Sequence, residues 1–260
     1  MARARAVDGR VGAVVMGTDG SEVLAIAPDD AFFAASVIKL PLVMTLYADA
    51  AEDRLSLEQR IGVGEPVGGS GVLNELPGIR NLTLADMAAL AMVVSDNRAT
   101  NRLIETVGLD RVAERLADWG CRATRLERGM YDQEAKARGR ENRMTPRETA
   151  VLLRHVVTRA SAGDAGMARV LALMERNANA LRLGRYLPSG VVVAHKDGWD
   201  AKVDNDAGVV RATTSVIVAG FTNGVPSPVA RPLLGLLGLA AAELAGADLS
   251  GLPLEGVGVA

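Results

Sequence analysis

Ala35-Ser36-Val37-Ile38-Lys39-Leu40-Pro41-Leu42 is the stretch on which the chain turns. It places a serine three residues before a lysine, where an apolar helix begins. Residues three apart share a helix face, so Lys39 is within reach of the Ser36 hydroxyl. A serine is a weak nucleophile until a neighbouring base takes its proton. A desolvated lysine can serve, because burial disfavours its ammonium form. First-turn N–H groups and the helix dipole favour negative charge developing at the same place. From Val37 to about residue 51 the side chains are apolar almost all round, with Leu40, Val43, Met44 and Tyr47 at helical spacing. Such a helix belongs at the centre of a domain and gives Ser36 a rigid support. A Ser-x-x-Lys pair alone is common enough by chance that the rest of the chain has to decide its meaning.

Upstream, residues 11–17 are rich in β-branched side chains and end at Thr18-Asp19-Gly20, a turn that leads into a return strand over 22–27. Downstream, residues 62–78 hold six glycines and two prolines and read as a loop, whose Gly69-Ser70-Gly71 could line a cleft. Thr83 and Asp86 open a helix that stops at Ser95-Asp96-Asn97. Amphipathic helices over 98–107 and 110–119 follow. Residues 126–143 are polar and aperiodic and read as a long surface loop, a length often reserved for function. Thr145-Pro146-Arg147-Glu148 is a capping box opening a helix to about 159, and a shorter helix covers 167–176. Strands are expected over 191–195, ending in Lys196-Asp197-Gly198, then over 207–212 and 214–221, with a final helix over 226–245.

Strands at both ends with helices between predict an α/β protein of two lobes. Its antiparallel sheet comes from residues 1–30 and 190–260, and its helical lobe from 31–189. The active site is expected between the lobes. With 260 residues, 49% of them apolar and 23% charged, the chain suits such a globular unit. A net charge of −2 and few aromatic residues offer nucleic acid no footprint. Cys121 is alone and only His155 and His195 occur, so neither a disulfide nor a metal or other cofactor is expected. The N-terminal residues 1–6 lack an apolar core for a signal peptide, and no segment is long enough to span a bilayer, which suggests a cytoplasmic protein with no membrane partner.

Three polar knots then align: Ser36…Lys39, Ser95-Asp96-Asn97 and Lys196-Asp197-Gly198. In this order they resemble the penicillin-recognising serine enzymes, most closely the class A β-lactamases, whose signature is S-x-x-K, S-D-N and K-T-G. The resemblance extends to His195, to Asp206-Ala207-Gly208, to the Thr145-Pro146 helix start and to the run Val94-Ser95-Asp96-Asn97-Arg98-Ala99-Thr100-Asn101. Ser95 lies 59 residues after Ser36, and Lys196 lies 101 after Ser95, both compatible with that family. The resemblance implies a two-lobed β-lactamase/transpeptidase-like fold and an acyl-enzyme mechanism on a small acyl substrate. Ser36 would attack a carbonyl with Lys39 as base, and Ser95 would protonate the leaving nitrogen beside Lys196. Asn97 would hold Lys39 and a substrate amide. The N–H groups of Ser36 and Trp199 would form the oxyanion hole, with Asp197 and Gly198 alongside. Asp96 reads as structural.

Two departures bear on function. Met130 falls near the place of the family's deacylating glutamate, leaving Asp132 and Glu134 as nearby candidates. Asp197 replaces the threonine that helps bind a substrate carboxylate, which would repel an anionic ligand and favour a neutral or cationic one. Three readings follow: a β-lactamase-like hydrolase of amide, lactam or ester bonds; an acyltransferase, transpeptidase-like or slow penicillin-binding enzyme; and a non-catalytic binding protein on the same scaffold.

Overall fold

Strands from the N-terminal and C-terminal parts of the described residues meet in one sheet. In the computed structural model, which describes residues 8–250, β1 (Arg10–Gly17) and β2 (Glu22–Ile26) form the expected hairpin. With β7 (Val192–Asp200), β8 (Val203–Arg211) and β9 (Ser215–Asn223) they build a five-stranded antiparallel sheet in the order β2-β1-β9-β8-β7. The reading of residues 1–6 lies outside the described residues.

Alternation along β1 divides the core. Val14 and Met16 join the large helical core, whereas Val15 packs on the opposite sheet face with Val210 and Val218. That outer face is covered by α8 (Ser227–Leu244) through Ala241 and Ala242. The inner face meets α1 (Lys39–Ala51), α2 (Leu84–Val93), α3 (Asn97–Val107), α4 (Leu109–Asp118), α6 (Pro146–Ser161) and α7 (Ala165–Glu175) in one continuous apolar cluster. Helix α1 is buried on every side, as its composition predicts, and touches α2, α3, α4 and α7. Its one carboxylate, Asp49, is buried and paired with Arg111 (2.7 Å) and Arg115 (2.6 Å) of α4.

Two sequence expectations change. Residues 126–143 are not structureless: they contain α5 (Gln133–Ala137) and end in β6 (Arg143–Met144), which pairs with β3 (Phe32–Phe33). The first strand of the C-terminal group does not stop before Lys196. It continues to Asp200, with Lys196 opposite Ala207 and Trp199 opposite Asp204. A polar run normally ends a buried strand; here each buried polar side chain finds a partner, so the strand persists. The glycine-rich loop is bracketed by β4 (Arg60–Gly62) and β5 (Asn81–Thr83), which pair with each other. No helix among the described residues is long and apolar enough to cross a membrane.

Candidate active site

Ser36 sits in a 3₁₀ turn, Ala35–Ile38, that runs directly into α1. Side chains at i and i+3 eclipse in a 3₁₀ turn, which aligns Ser36 with Lys39. Ala35 takes φ 46°, a left-handed conformation that an alanine adopts only under constraint. Strand β7 forms the edge of the sheet beside this turn. A Cβ on Gly198 would come 2.6 Å from the Ser36 amide nitrogen, so only glycine permits this approach.

Lys39 is fully buried. Its Nζ donates to the Ser95 carbonyl (2.7 Å), the Ser95 hydroxyl (3.1 Å) and Asn97 Oδ1 (2.7 Å). The expected contact with Ser36 is not among the hydrogen bonds of the described residues: Nζ is directed at Ser95 and Asn97 instead. Burial, with the charge of Lys196 nearby, pushes the Lys39 amine well below the ordinary lysine range, against the weaker pull of Asp96 and Asp197. Lys196 itself is fully buried and donates to the carbonyl (2.7 Å) and carboxylate (3.1 Å) of Asp197.

The Ser95-Asp96-Asn97 knot is a fixed junction between α2 and α3. Ser95 adopts φ 56°, turning its carbonyl toward Lys39. Asp96 caps α3 through Ala99 N–H (2.9 Å) and also accepts from the amides of Val72 (2.7 Å) and Leu73 (2.8 Å). Its role is structural, as its position suggests. Asn97 donates to the Gly68 carbonyl (2.8 Å), and its amide N–H donates to the Ser70 carbonyl (2.9 Å). The glycine-rich segment is thus strapped across the knot, and Ser70 lines the cleft.

That cleft, of about 200 Å³, brings together Ser36, Ser70, Asn97, Met130 and Trp199. The loop over 126–143 forms its opposite wall. Its neck is closed by Arg128 paired with Glu141 (2.6 Å) and by buried Asn142, which accepts from the amides of Glu127 (2.8 Å) and Arg128 (3.1 Å). Asp132 and Glu134, the candidate water-activating acids, do not line it. The Asp132 carboxylate accepts from Ala135 N–H (2.9 Å) as the cap of α5, while Glu134 is exposed and sits 3.6 Å from Arg138. The loop presents Met130, Tyr131, Gln133 and Lys136 instead. Sequence reading missed Tyr131, Gln133 and Lys136, because the segment has no periodicity to orient its side chains.

Asp197 also departs from expectation. Its carboxylate is buried and lies outside the cleft lining. It accepts from Asn177 Nδ2 (3.1 Å), Asn179 Nδ2 (2.7 Å), Arg182 (3.0 Å) and Lys196 (3.1 Å). Burial opposes its ionisation, but Lys196 and Arg182 outweigh this and hold the carboxyl well below the usual carboxylate range. Its charge is neutralised inside the protein, so it does not confront a ligand as a bare anion. Asn177, Asn179 and Arg182 had no signal in the sequence, since only folding brings them to β7.

This helix-borne serine beside a sheet edge is the architecture of the β-lactamase-like serine hydrolases. The Beta-lactamase enzyme family matches residues 2–244, and the chain belongs to it. A beta-lactamase from Sphaerobacter thermophilus DSM 20745 is 32% identical, with a TM-score of 0.84 over 94% of this chain and 95% of its own. Two more distant structures share the fold. PBP-A has 22% identity and a TM-score of 0.84 over 95% of this chain and 94% of its own. The ancestral class A beta-lactamase GNCA has 23% identity and a TM-score of 0.83, covering 92% and 96%.

Proposed function

We propose that Ser36 attacks the carbonyl carbon of an amide, lactam or ester and becomes acylated. The carrying observation is Lys39, a buried amine with a depressed proton affinity one turn from Ser36 and bonded to both Ser95 and Asn97. Neutral Lys39 takes the Ser36 proton as the Oγ–C bond forms. The N–H groups of Ser36 and Trp199 receive the oxyanion; one such donor is typically worth about 10²–10³ in rate. As the C–N bond breaks, Ser95 gives its proton to the leaving nitrogen and regains one from Lys39, with the Lys196 ammonium supporting the transfer. Asn97 holds Lys39 through Oδ1 and spends one amide proton on Gly68, leaving the other for a substrate carbonyl.

A specific observation favours the slow-turnover form of this chemistry. The loop wall offers the cleft Met130, Tyr131, Gln133 and Lys136 but no carboxylate; the carboxylate that does line the cleft, Asp200, stands on β7, so water attack on the acyl-enzyme lacks a positioned loop base. The enzyme then accumulates as an ester or passes its acyl group to a better nucleophile. Asp197 bears on the substrate from outside the cleft lining: it engages Lys196 and Arg182, so neither is free for a substrate carboxylate. Neutral acyl substrates are therefore expected.

Intact-protein mass spectrometry over time, with a penicillin and with a chromogenic ester, tests the reading. A long-lived adduct on the native chain, absent from Ser36→Ala, is expected. Rapid adduct turnover would favour an efficient hydrolase. An identical response from Ser36→Ala would overturn the assignment of Ser36.

A further inference from the structure

The chain has only eight Phe, Trp and Tyr residues, yet three of them, Phe33, Tyr131 and Trp199, line the Ser36 cleft. Two of these are exposed by more than half, Tyr131 at 56% and Trp199 at 54%. Single exposed apolar side chains are ordinary, but aromatic rings converging on one concave site mark a binding surface. They come from independent elements. Trp199 stands on β7 next to Gly198, whose bare Cα lies against the Ser36 amide. Tyr131 stands on the opposite wall, in the loop whose neck is locked by Arg128 and Glu141.

Tyr131 is held in place with unusual care. It adopts φ 59°, a conformation that a bulky residue takes only when its surroundings enforce it. Its ring lies over Gly68 and Gly69, where a Cβ on Gly69 would come 2.5 Å from the ring and 2.7 Å from both the Tyr131 hydroxyl and Asn97 Nδ2. The ring therefore flanks the Asn97 amide. A strained tyrosine seated on two glycines holds its ring fixed in the cleft lining.

We propose that the acyl group accepted by Ser36 carries a planar apolar ring, held between Tyr131 and Trp199. The inference rests on the Ser36 acyl-enzyme reading and adds the class of acyl side chain. The ring would stack or meet the two aromatic side chains edge to face, while the carbonyl lies at the Ser36 and Trp199 amides.

Two neutral esters with one leaving group, p-nitrophenyl phenylacetate and p-nitrophenyl acetate, provide the test. The acylation rate constant per unit concentration is read from nitrophenol release and from the mass of the adduct. The native chain should favour the phenylacetyl ester by about 10-fold, the scale of one good aromatic contact. Tyr131→Leu should remove most of that preference while changing acetyl transfer less than about 3-fold, and Trp199→Leu should remove most of it as well. Tyr131→Phe should retain it, since the ring and not the hydroxyl makes the contact. Ser36-dependent acylation with no aryl preference, or variants that slow both esters equally, would overturn the inference and leave the acyl-enzyme reading intact. If neither ester acylates Ser36, or Ser36→Ala reacts as the native chain does, both fall together.

Discussion

Replacing Asp197 by asparagine removes one buried negative charge while keeping the shape of the side chain. In the native chain the carboxylate receives two neutral amide donors, from Asn177 and Asn179, and two cations, Arg182 at 3.0 Å and Lys196 at 3.1 Å. Both cations are fully buried. Arg182 keeps Asp204 at 2.5 Å, so Lys196 is the cation left without a carboxylate. Breaking a buried ion pair from one side costs about 3–5 kcal/mol, and the surviving Arg182–Asp204 pair puts this case near ~3 kcal/mol. For a chain of this size that corresponds to a fall in Tm of about 6–12 °C. Thermal unfolding followed by circular dichroism at pH 7, native beside Asp197→Asn, measures it. The sign with pH is fixed as well. The native carboxyl is held below its ordinary value of 3.8, so its stabilisation is complete above that value and is lost as pH falls through the native one. The gap between native and variant should therefore persist from pH 7 to about 4 and narrow below it. Equal melting within about 2 °C at pH 7, or a gap that widens in acid, would refute the account of Asp197 as a neutralised internal anchor.

Further outcomes are expected at the same site. Asp197→Thr should shift the preference of acylation toward anionic acyl substrates, measured on paired anionic and neutral esters, because it frees Lys196 and restores a hydroxyl. Lys39→Met should lower the acylation rate by about 10²–10⁴ without leaving a buried charge, as read by adduct formation. In the native chain acylation should rise with pH, with an inflection well below 10.5, because burial and Lys196 depress the proton affinity of Lys39; a profile flat from pH 5 to 9 would contradict its role as base. Met130→Glu, which places a carboxylate on the cleft wall, should shorten the lifetime of the adduct by about 10²-fold in a mass-spectrometric chase. Gly198→Ala should nearly abolish acylation, because its methyl group would lie 2.6 Å from the Ser36 amide nitrogen.

Much of this was legible in the sequence because local rules govern it. Apolar periodicity marked α1, and the Thr83 and Asp86 pair formed the full capping box that the spacing predicts. The Thr145 cap also forms, but Glu148 turns away from it. Its carboxylate accepts from the amides of Arg122 (2.7 Å), Ala123 (2.8 Å) and Thr124 (2.6 Å), a long-range use that no local pattern reveals. The strands at both ends announced a shared sheet, since each needed partners that its neighbours did not supply.

By itself, the sequence singled out the residues proposed to carry the chemistry: Ser36 and Lys39 by helical spacing, and Ser95, Asn97 and Lys196 by their order in the chain. Only the tertiary structure decided what those groups face. It turned Lys39 toward Ser95 and Asn97, withdrew Asp197 into a pocket built by Asn177, Asn179 and Arg182, and left Asp132 and Glu134 outside the cleft. The physical reason is that spacing fixes neighbours within a helix or strand, whereas the partner of a buried charge is chosen by desolvation. A charge removed from water takes whichever opposite charge or polar group the fold brings within about 3 Å, however distant in the chain.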